Sequence, residues 1–217
     1  MKLELFDYWR SSASYRVRIA LNLKGLAFRL IPVDLLAGEQ RGADNLARNP
    51  QGRVPTLMVN GVALTQSLAI IDYLEACCPL PPLLPADLVA RAHVLAQALL
   101  IAADVHPLNN TSLLKRLETQ FGADQPARDE WYRHWIAQGF AALETIAAAD
   151  ERALATGAFL GGAAPNLADV CLVPQMYNAR RFDLPLSAYP RLLMADAAAS
   201  ALPAFAAAHP DKTKPAG

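Results

Sequence analysis

The chain has 217 residues, with 20 Lys+Arg balanced by 20 Asp+Glu and therefore no formal net charge. A balanced surface has no field to gather a polyanion, which excludes nucleic acid as the main partner. With 53% hydrophobic and 18% charged residues, the chain is too apolar to stay disordered and has the mass for one or two domains.

His93, Gln97 and Asp104 interrupt the Ala/Leu-rich stretch before it reaches the roughly 18 residues that span a bilayer. Glu4 and Asp7 interrupt the N-terminus where a secretory signal needs an apolar run. The expectation is a cytoplasmic protein that engages no membrane. Cys77, Cys78 and Cys171 make neither a disulfide framework nor a metal site, so reduced thiols and no metal are expected.

In chain order, Lys2 to Tyr8 reads as a strand and Tyr15 to Lys24 as a helix, with Val17 and Leu21, then Ile19 and Leu23, at helical spacing. Gly25 suits the left-handed residue that closes such a helix. Phe28 to Val33 is a second strand, placed at a sheet edge by Pro32, which cannot donate to a ladder. Gly38 to Asn49 is polar and helical or irregular. Thr56 to Val59 and Val62 to Leu64 flank Asn60-Gly61, a hairpin turn pair. Ser67 can cap the next helix, whose stripe is Ala69, Ile70, Tyr73, Leu74 and Cys77.

Pro79, Pro81, Pro82 and Pro85 then forbid regular structure and mark a boundary between domains 1–80 and 88–217. Beyond it only helices are expected: Leu88 to Val105, Thr111 to Phe121, Ala127 to Ala149, Leu167 to Phe182 and Pro190 to Ala208. Trp131, Trp135, Phe140, Leu143 and Ile146 form the core stripe of the third. Asn166 to Asp169 is a capping box with a folding role, and the tail from His209 to Gly217 is expected to fray.

An α/β domain ordered βαβ then ββα, followed by an all-α domain, is similar to the architecture of glutathione transferases, with a thioredoxin-like first domain. The segment from Trp9 to Leu21, WRSSASYRVRIAL, resembles the signature of their zeta class, which includes maleylacetoacetate and maleylpyruvate isomerases. Ordered matches continue at Asn49-Pro50, Val54-Pro55-Thr56-Leu57, Gln66-Ser67, Leu83-Leu84-Pro85, His106-Pro107-Leu108-Asn109-Asn110, Leu172 to Gln175 and Ala179 to Phe182. One position departs: Ala13 stands where the family usually has cysteine. A cysteine-based mechanism is therefore closed, and so is a thiol oxidoreductase role, since there is no Cys-x-x-Cys.

The resemblance implies glutathione as cofactor and a small dicarboxylate as substrate. It places Ser11 facing the glutathione sulfur, and Ser12, Gln40, Val54, Gln66, Ser67, His106, Asn110 and Ser112 around the tripeptide. A free thiol ionises with a pKa of about 8.5, so a hydroxyl donor, the positive end of a helix beginning near Ser14 and Arg10 or Arg16 would all favour the thiolate. Val54, before a proline that is cis in this family, would pair with the peptide backbone of glutathione. Gln66 and Ser67 open a helix whose free N–H groups suit the γ-glutamyl carboxylate. Arg10 and Arg181 would clamp the carboxylates of the substrate, while Arg180 beside Arg181 is equally readable as solvated. Read without the family, Ser11, Ser12 and Ser67 are ordinary helix caps and His106 a structural histidine.

The implied reaction is a cis-trans isomerisation. Addition of the glutathione sulfur to a conjugated C=C makes the bond single and rotatable, and expulsion of the sulfur restores it as trans. The substrate expected is maleylacetoacetate, from aromatic amino acid breakdown. The alternatives are maleylpyruvate, conjugation of glutathione to α-halo acids, or a silent glutathione-binding module. A homodimer, with each glutathione domain beside the partner's helical domain, is expected by the same analogy.

Overall fold

Leu3, Leu5 and Asp7 are buried in β1 (Leu3–Asp7) and the residues between them are partly exposed, the two-residue alternation of a strand with one face on a core. The computed structural model describes residues 1–154 and 157–215. The further elements of the first part of the chain are α1 (Ser12–Leu23), β2 (Arg29–Pro32), a single 3-10 turn (Glu39–Arg41), α2 (Ala43–Arg48), β3 (Thr56–Val59), β4 (Val62–Thr65) and α3 (Ser67–Cys77). The sheet order is β2-β1-β3-β4, with β2 parallel to β1 and the other two pairs antiparallel. A parallel pair needs a crossover, which α1 supplies. Pro32 does lie on an edge strand.

Val17, Ile19, Ala20 and Leu21 of α1, Leu57 of β3 and Ile70 and Leu74 of α3 are fully enclosed and form the core of this unit. Arg18, on the same helix, is fully buried too. One of its nitrogens meets both carboxylate oxygens of Asp7, at 2.7 and 2.9 Å, another donates to the Trp9 carbonyl at 2.9 Å, and Nε donates to the Ala208 carbonyl at 3.0 Å. Burial pushes the Asp7 carboxyl up, opposed by the Arg18 charge, and burial likewise pushes Arg18 down against the pull of Asp7.

The contact with Ala208 corrects the sequence-based domain limits. The chain divides into a first unit of Met1–Pro82 joined by the segment from Leu202 onward, and a second of Leu83–Ala201. The expected last helix, Pro190 to Ala208, is two helices, α9 (Pro190–Ser200) and α10 (Pro203–Ala208), separated before Pro203. α10 packs on α1, where Asn22 Nδ2 also donates to the Ala204 carbonyl at 3.0 Å. The tail expected to fray instead forms α11 (Pro210–Thr213), and Pro210 is buried. Ala216 and Gly217 lie outside the described residues.

Among the described residues the second unit is helical, with one isolated β-bridge between Phe159 and Gly162. Its helices before α9 are α4 (Leu88–Leu99), α5 (His106–Leu108), α6 (Thr111–Phe121), α7 (Gln125–Leu154) and α8 (Leu167–Arg181), and a π-helical segment, Leu100–Val105, joins α4 to α5. By length and composition the run Leu88–Phe121 could cross a bilayer. It is interrupted by that π segment and at Asn109-Asn110, and α4 packs on α8 while the π segment packs on α7. Gly139 permits the second approach: a Cβ there would stand 2.2 Å from the Val105 side chain. The buried stripe of α7 is Tyr132, Ile136, Phe140, Leu143 and Ala147, whereas Ile146 is 38% exposed. Phe140 and Leu143 are buried as expected, but Ile146 is not, and Trp131 and Trp135 flank the buried face, where the Trp131 indole donates to the Leu108 carbonyl at 2.8 Å.

α8 begins with the capping box expected of Asn166 and Asp169. The Asn166 Oδ1 accepts from Ala168 N at 2.8 Å, and Asp169 accepts from Asn166 N at 2.9 Å and from Leu160 N at 2.8 Å. Burial pushes the Asp169 carboxyl from 3.8 up to about 7, against the opposing pull of those N–H groups and Arg191. Its folded value lies above its unfolded one, so stability from this group is present at low pH and lost as pH rises through about 7.

Two outcomes follow in urea unfolding. Arg18→Met leaves Asp7 buried without its partner and costs about 3–5 kcal/mol, part of which Asp7→Asn restores in the double variant; an Arg18→Met protein as stable as wild type contradicts the role given to the pair. For Asp169→Asn, the decline in stability between pH 5 and pH 8 becomes shallower, and an unchanged slope removes Asp169 as its source.

Candidate active site

The registers bring the sequence-predicted residues of the first unit to one end of the sheet. Phe6 lies opposite Thr56, Asp7 beside Pro32, and Thr56 opposite Thr65. The turn that follows β1 (Tyr8 to Ser11), the loop after β2 that leads to Gln40, Val54-Pro55 just before β3 and Gln66-Ser67 just after β4 therefore all emerge at that end. Four chain segments far apart in sequence converge because one strand is parallel and two are antiparallel to their neighbours.

Ser11 N donates to the Tyr8 carbonyl at 2.8 Å, and the Ser11 Oγ accepts from Ser14 N at 3.2 Å, so Ser11 is the N-cap of α1. The helix starts at Ser12 and not near Ser14. Capping uses an oxygen lone pair and leaves the hydroxyl proton for a second partner, so the capping role and a role toward a sulfur are compatible. The N–H dipoles of α1 add positive potential at the same place. Ser12 is buried behind it, and Ala13 lies in the first turn of the helix. The Arg10 guanidinium sits 5.1 Å from the centroid of the Trp9 ring and has no carboxylate partner among the described residues. Arg16, in contrast, is buried and turned to α3, where it donates to the Ser67 Oγ at 3.2 Å. Its charge therefore lies at the start of α3.

The Val54-Pro55 peptide is cis. Among the described residues neither the N–H nor the C=O of Val54 has a backbone partner, which leaves a short free edge able to pair with an extended peptide. Gln66, the N-cap of α3, has φ 67°, a left-handed conformation that is uncommon for a residue with a side chain, and its side chain caps nothing. It donates instead to Gln51 Oε1 at 2.8 Å. The N–H groups of the first turn of α3 consequently lack a side-chain acceptor, as an incoming carboxylate requires. Gln40, in the 3-10 turn, holds a buried side-chain oxygen without a partner. Such an enclosed orphan is costly unless a ligand completes it, so the residues fit a bound tripeptide carrying amides and carboxylates.

His106, Asn110, Ser112 and Arg181 belong to the second unit. Asn110 is the N-cap of α6, its Oδ1 accepting from Ser112 N at 2.9 Å and from the Ser112 hydroxyl at 2.7 Å, so local capping accounts for both. His106 ends the π segment. Arg180 pairs with Asp196 at 2.5 Å, while Arg181, exposed in the last turn of α8, meets no carboxylate among the described residues. Sequence reasoning missed two partners of this region. Gln51 gave no signal beyond being polar in a loop; Arg18 did, as a charge set among Val17, Ile19 and Leu21 of an otherwise apolar helix.

Residues 1–76 match the family model of the glutathione S-transferase N-terminal domain. Maleylacetoacetate isomerase of Rhizobium meliloti (strain 1021) is 50% identical over 211 residues, 97% of each chain. The holo structure of a maleyl pyruvate isomerase, a bacterial zeta-class glutathione transferase, superposes with a TM-score of 0.95 at 42% identity and covers 99% of this chain and 100% of its own. Maleylacetoacetate isomerase from Anaeromyxobacter dehalogenans 2CP-1, solved with dicarboxyethyl glutathione and citrate in its active site, superposes at 0.87 with 45% identity, covering 100% and 98%. The chain belongs to the maleylacetoacetate isomerase family, the zeta class of the glutathione transferases.

Proposed function

We propose that the chain isomerises maleylacetoacetate from cis to trans with glutathione as its cofactor, in the breakdown of aromatic amino acids. The observation that carries this reading is the convergence at one sheet end of a capping serine with a spare proton, a free peptide edge and helix N–H groups without a side-chain cap. Three recognition elements of these kinds suit a peptide that bears a thiol and a carboxylate. That a relative holds dicarboxyethyl glutathione, a tripeptide carrying two further carboxylates, supports a dicarboxylate substrate.

Bound glutathione supplies a thiolate, which turns the conjugated double bond into a rotatable single bond and is released unchanged. In this reading Val54 binds the main chain of the tripeptide, Gln66, Ser67 and the N-terminus of α3 bind its γ-glutamyl carboxylate, and Gln40 faces its glycyl end. Ser11 donates its proton toward the sulfur and Ser12 supports that position from the first turn of α1. Arg10 and the α1 dipole stabilise negative charge as it develops on the substrate, and Arg10 and Arg181 each take a substrate carboxylate. His106, Asn110 and Ser112 remain as further glutathione contacts. Ala13 removes the usual cysteine without removing this chemistry, because neither the nucleophile nor the proton donor is a protein thiol.

The enzyme is read as a cytoplasmic homodimer. Support for self-association comes from Leu88 and Val89 at the start of α4, which are 79% and 65% exposed. Maleylpyruvate is the second reading, favoured by the superposition on a maleyl pyruvate isomerase.

Following each acid by ultraviolet absorbance with its fumaryl hydrolase present, with and without glutathione, decides between the two. Glutathione-dependent loss of maleylacetoacetate at the higher kcat/KM is expected; faster loss of maleylpyruvate makes that the substrate, and loss of neither overturns the isomerase reading. Ser11→Ala is expected to lower kcat by about 100-fold with a smaller effect on the KM for glutathione, and equal kcat removes Ser11 from the chemistry.

A further inference from the structure

A cavity of about 490 Å³ lies wholly within the first unit, between the turn that follows β1, the end of β2 with its outgoing loop, and the C-terminal tail. Its size is in the range of small-molecule sites, about 300–1,000 Å³. Tyr8, Trp9 and Arg10 form one wall. They belong to the same turn that is closed by the Ser11 N–H on the Tyr8 carbonyl, so whatever fills the cavity lies against the loop that positions Ser11. A second wall is apolar and open to solvent, with Leu30 36% and Leu36 80% exposed.

The charges are lopsided. Lys214 comes from the tail and its ammonium stands 5.3 Å from the centroid of the Trp9 ring, the ring that Arg10 approaches to 5.1 Å. Neither cation meets a carboxylate among the described residues. Of the two acids in the lining, Asp7 is taken by Arg18, and Asp34 accepts from Leu36 N at 2.8 Å. The Asp34 carboxylate meets neither cation, so two cations share one aromatic ring beside apolar surface and neither has an anionic partner among the described residues.

Lys214 is also held in place. Arg18 fixes the end of α10 through the Ala208 carbonyl, Pro210 is buried, and Lys214 N donates to the Pro210 carbonyl at 2.9 Å. A lysine at a loose chain end would lose its advantage to side-chain and backbone entropy; here the backbone is already ordered.

We propose that this cavity takes one carboxylate-bearing end of the acid substrate and that Lys214 is a specificity-determining residue, its ammonium meeting the carboxylate beside the Arg10 guanidinium while the carbon chain lies on Leu30 and Leu36. This rests on the isomerase reading and adds to it a role for the C-terminal tail. Lysine contributes a point charge and arginine a planar fork, so the pair accepts an anion whose orientation is set by Arg10.

The test compares wild type with Lys214→Gln and Lys214→Arg, and with Lys212→Gln as a control for loss of charge elsewhere on the tail. In steady-state kinetics Lys214→Gln raises the KM for the acid about tenfold, as expected for one lost charge-assisted contact, with kcat within about twofold and the KM for glutathione unchanged. Lys214→Arg recovers most of the loss, and Lys212→Gln behaves as wild type. A Lys214→Gln enzyme with the wild-type KM for the acid, or an equal rise in Lys212→Gln, overturns the assignment. Calorimetric titration with maleate, a stable cis-dicarboxylate, reads the cavity without turnover: its Kd rises about tenfold in Lys214→Gln, and an unchanged Kd overturns the assignment. A wild type that turns over neither acid but binds maleate through Lys214 would sink the isomerase reading and leave the cavity assignment standing.

Discussion

The contact of Arg18 with Asp7 ties together the parts of the first unit on which the chemistry depends. Its guanidinium reaches the end of β1, the backbone of the turn that carries Arg10 and Ser11, and the last carbonyl of α10. A buried ion pair stabilises little unless its remaining donors are satisfied; here the carbonyls of Trp9 and Ala208 take them. The consequence is positional. One side chain fixes the angle at which the chain leaves β1 and brings back a segment 190 positions away in sequence, so the serine and the C-terminal tail are set by the same group.

What the sheet contributes is convergence. Because β2 runs parallel to β1 and β3 runs antiparallel to it, the exits of β1, β2 and β4 and the entry of β3 all fall at one end. Functional groups on loops at a common end are held by a rigid scaffold and remain free to vary in sequence. In the proposed site the unpaired edge at Val54 would hold the tripeptide's main chain and the start of α3 its γ-glutamyl carboxylate. On the same proposal Arg10, Arg181 and Lys214 would meet the anionic substrate.

Much of this was readable as local pattern. The alternation in β1, the helical spacing of Val17 and Leu21, the Asn60-Gly61 hairpin and the capping box at Asn166 are each decided by neighbours a few residues away, and each is found in the structure. What escaped is long-range. Arg18 reads as one more charge until Asp7 and Ala208 are placed around it. α10 continues the helical pattern of α9, and only the fold shows that it returns to α1. The tail reads as frayed by composition, because the side chain that anchors the helix before it, Arg18, comes from α1. The π segment at Leu100–Val105 has no composition of its own, and it packs on α7 where Gly139 leaves room for the Val105 side chain. The roles of Ser11 and Val54 came from resemblance; their capping and turn chemistry alone described a cap and a bend.

In the proposed mechanism Ser11 lowers the pKa of a thiol bound at the start of α1. The direct measurement is the thiolate absorbance of enzyme-bound glutathione as a function of pH, in wild type and in Ser11→Ala. The account predicts an apparent pKa well below the free-thiol value of about 8.5 in wild type and a return toward it in the variant. The same pKa in both proteins, at the free value, would contradict it.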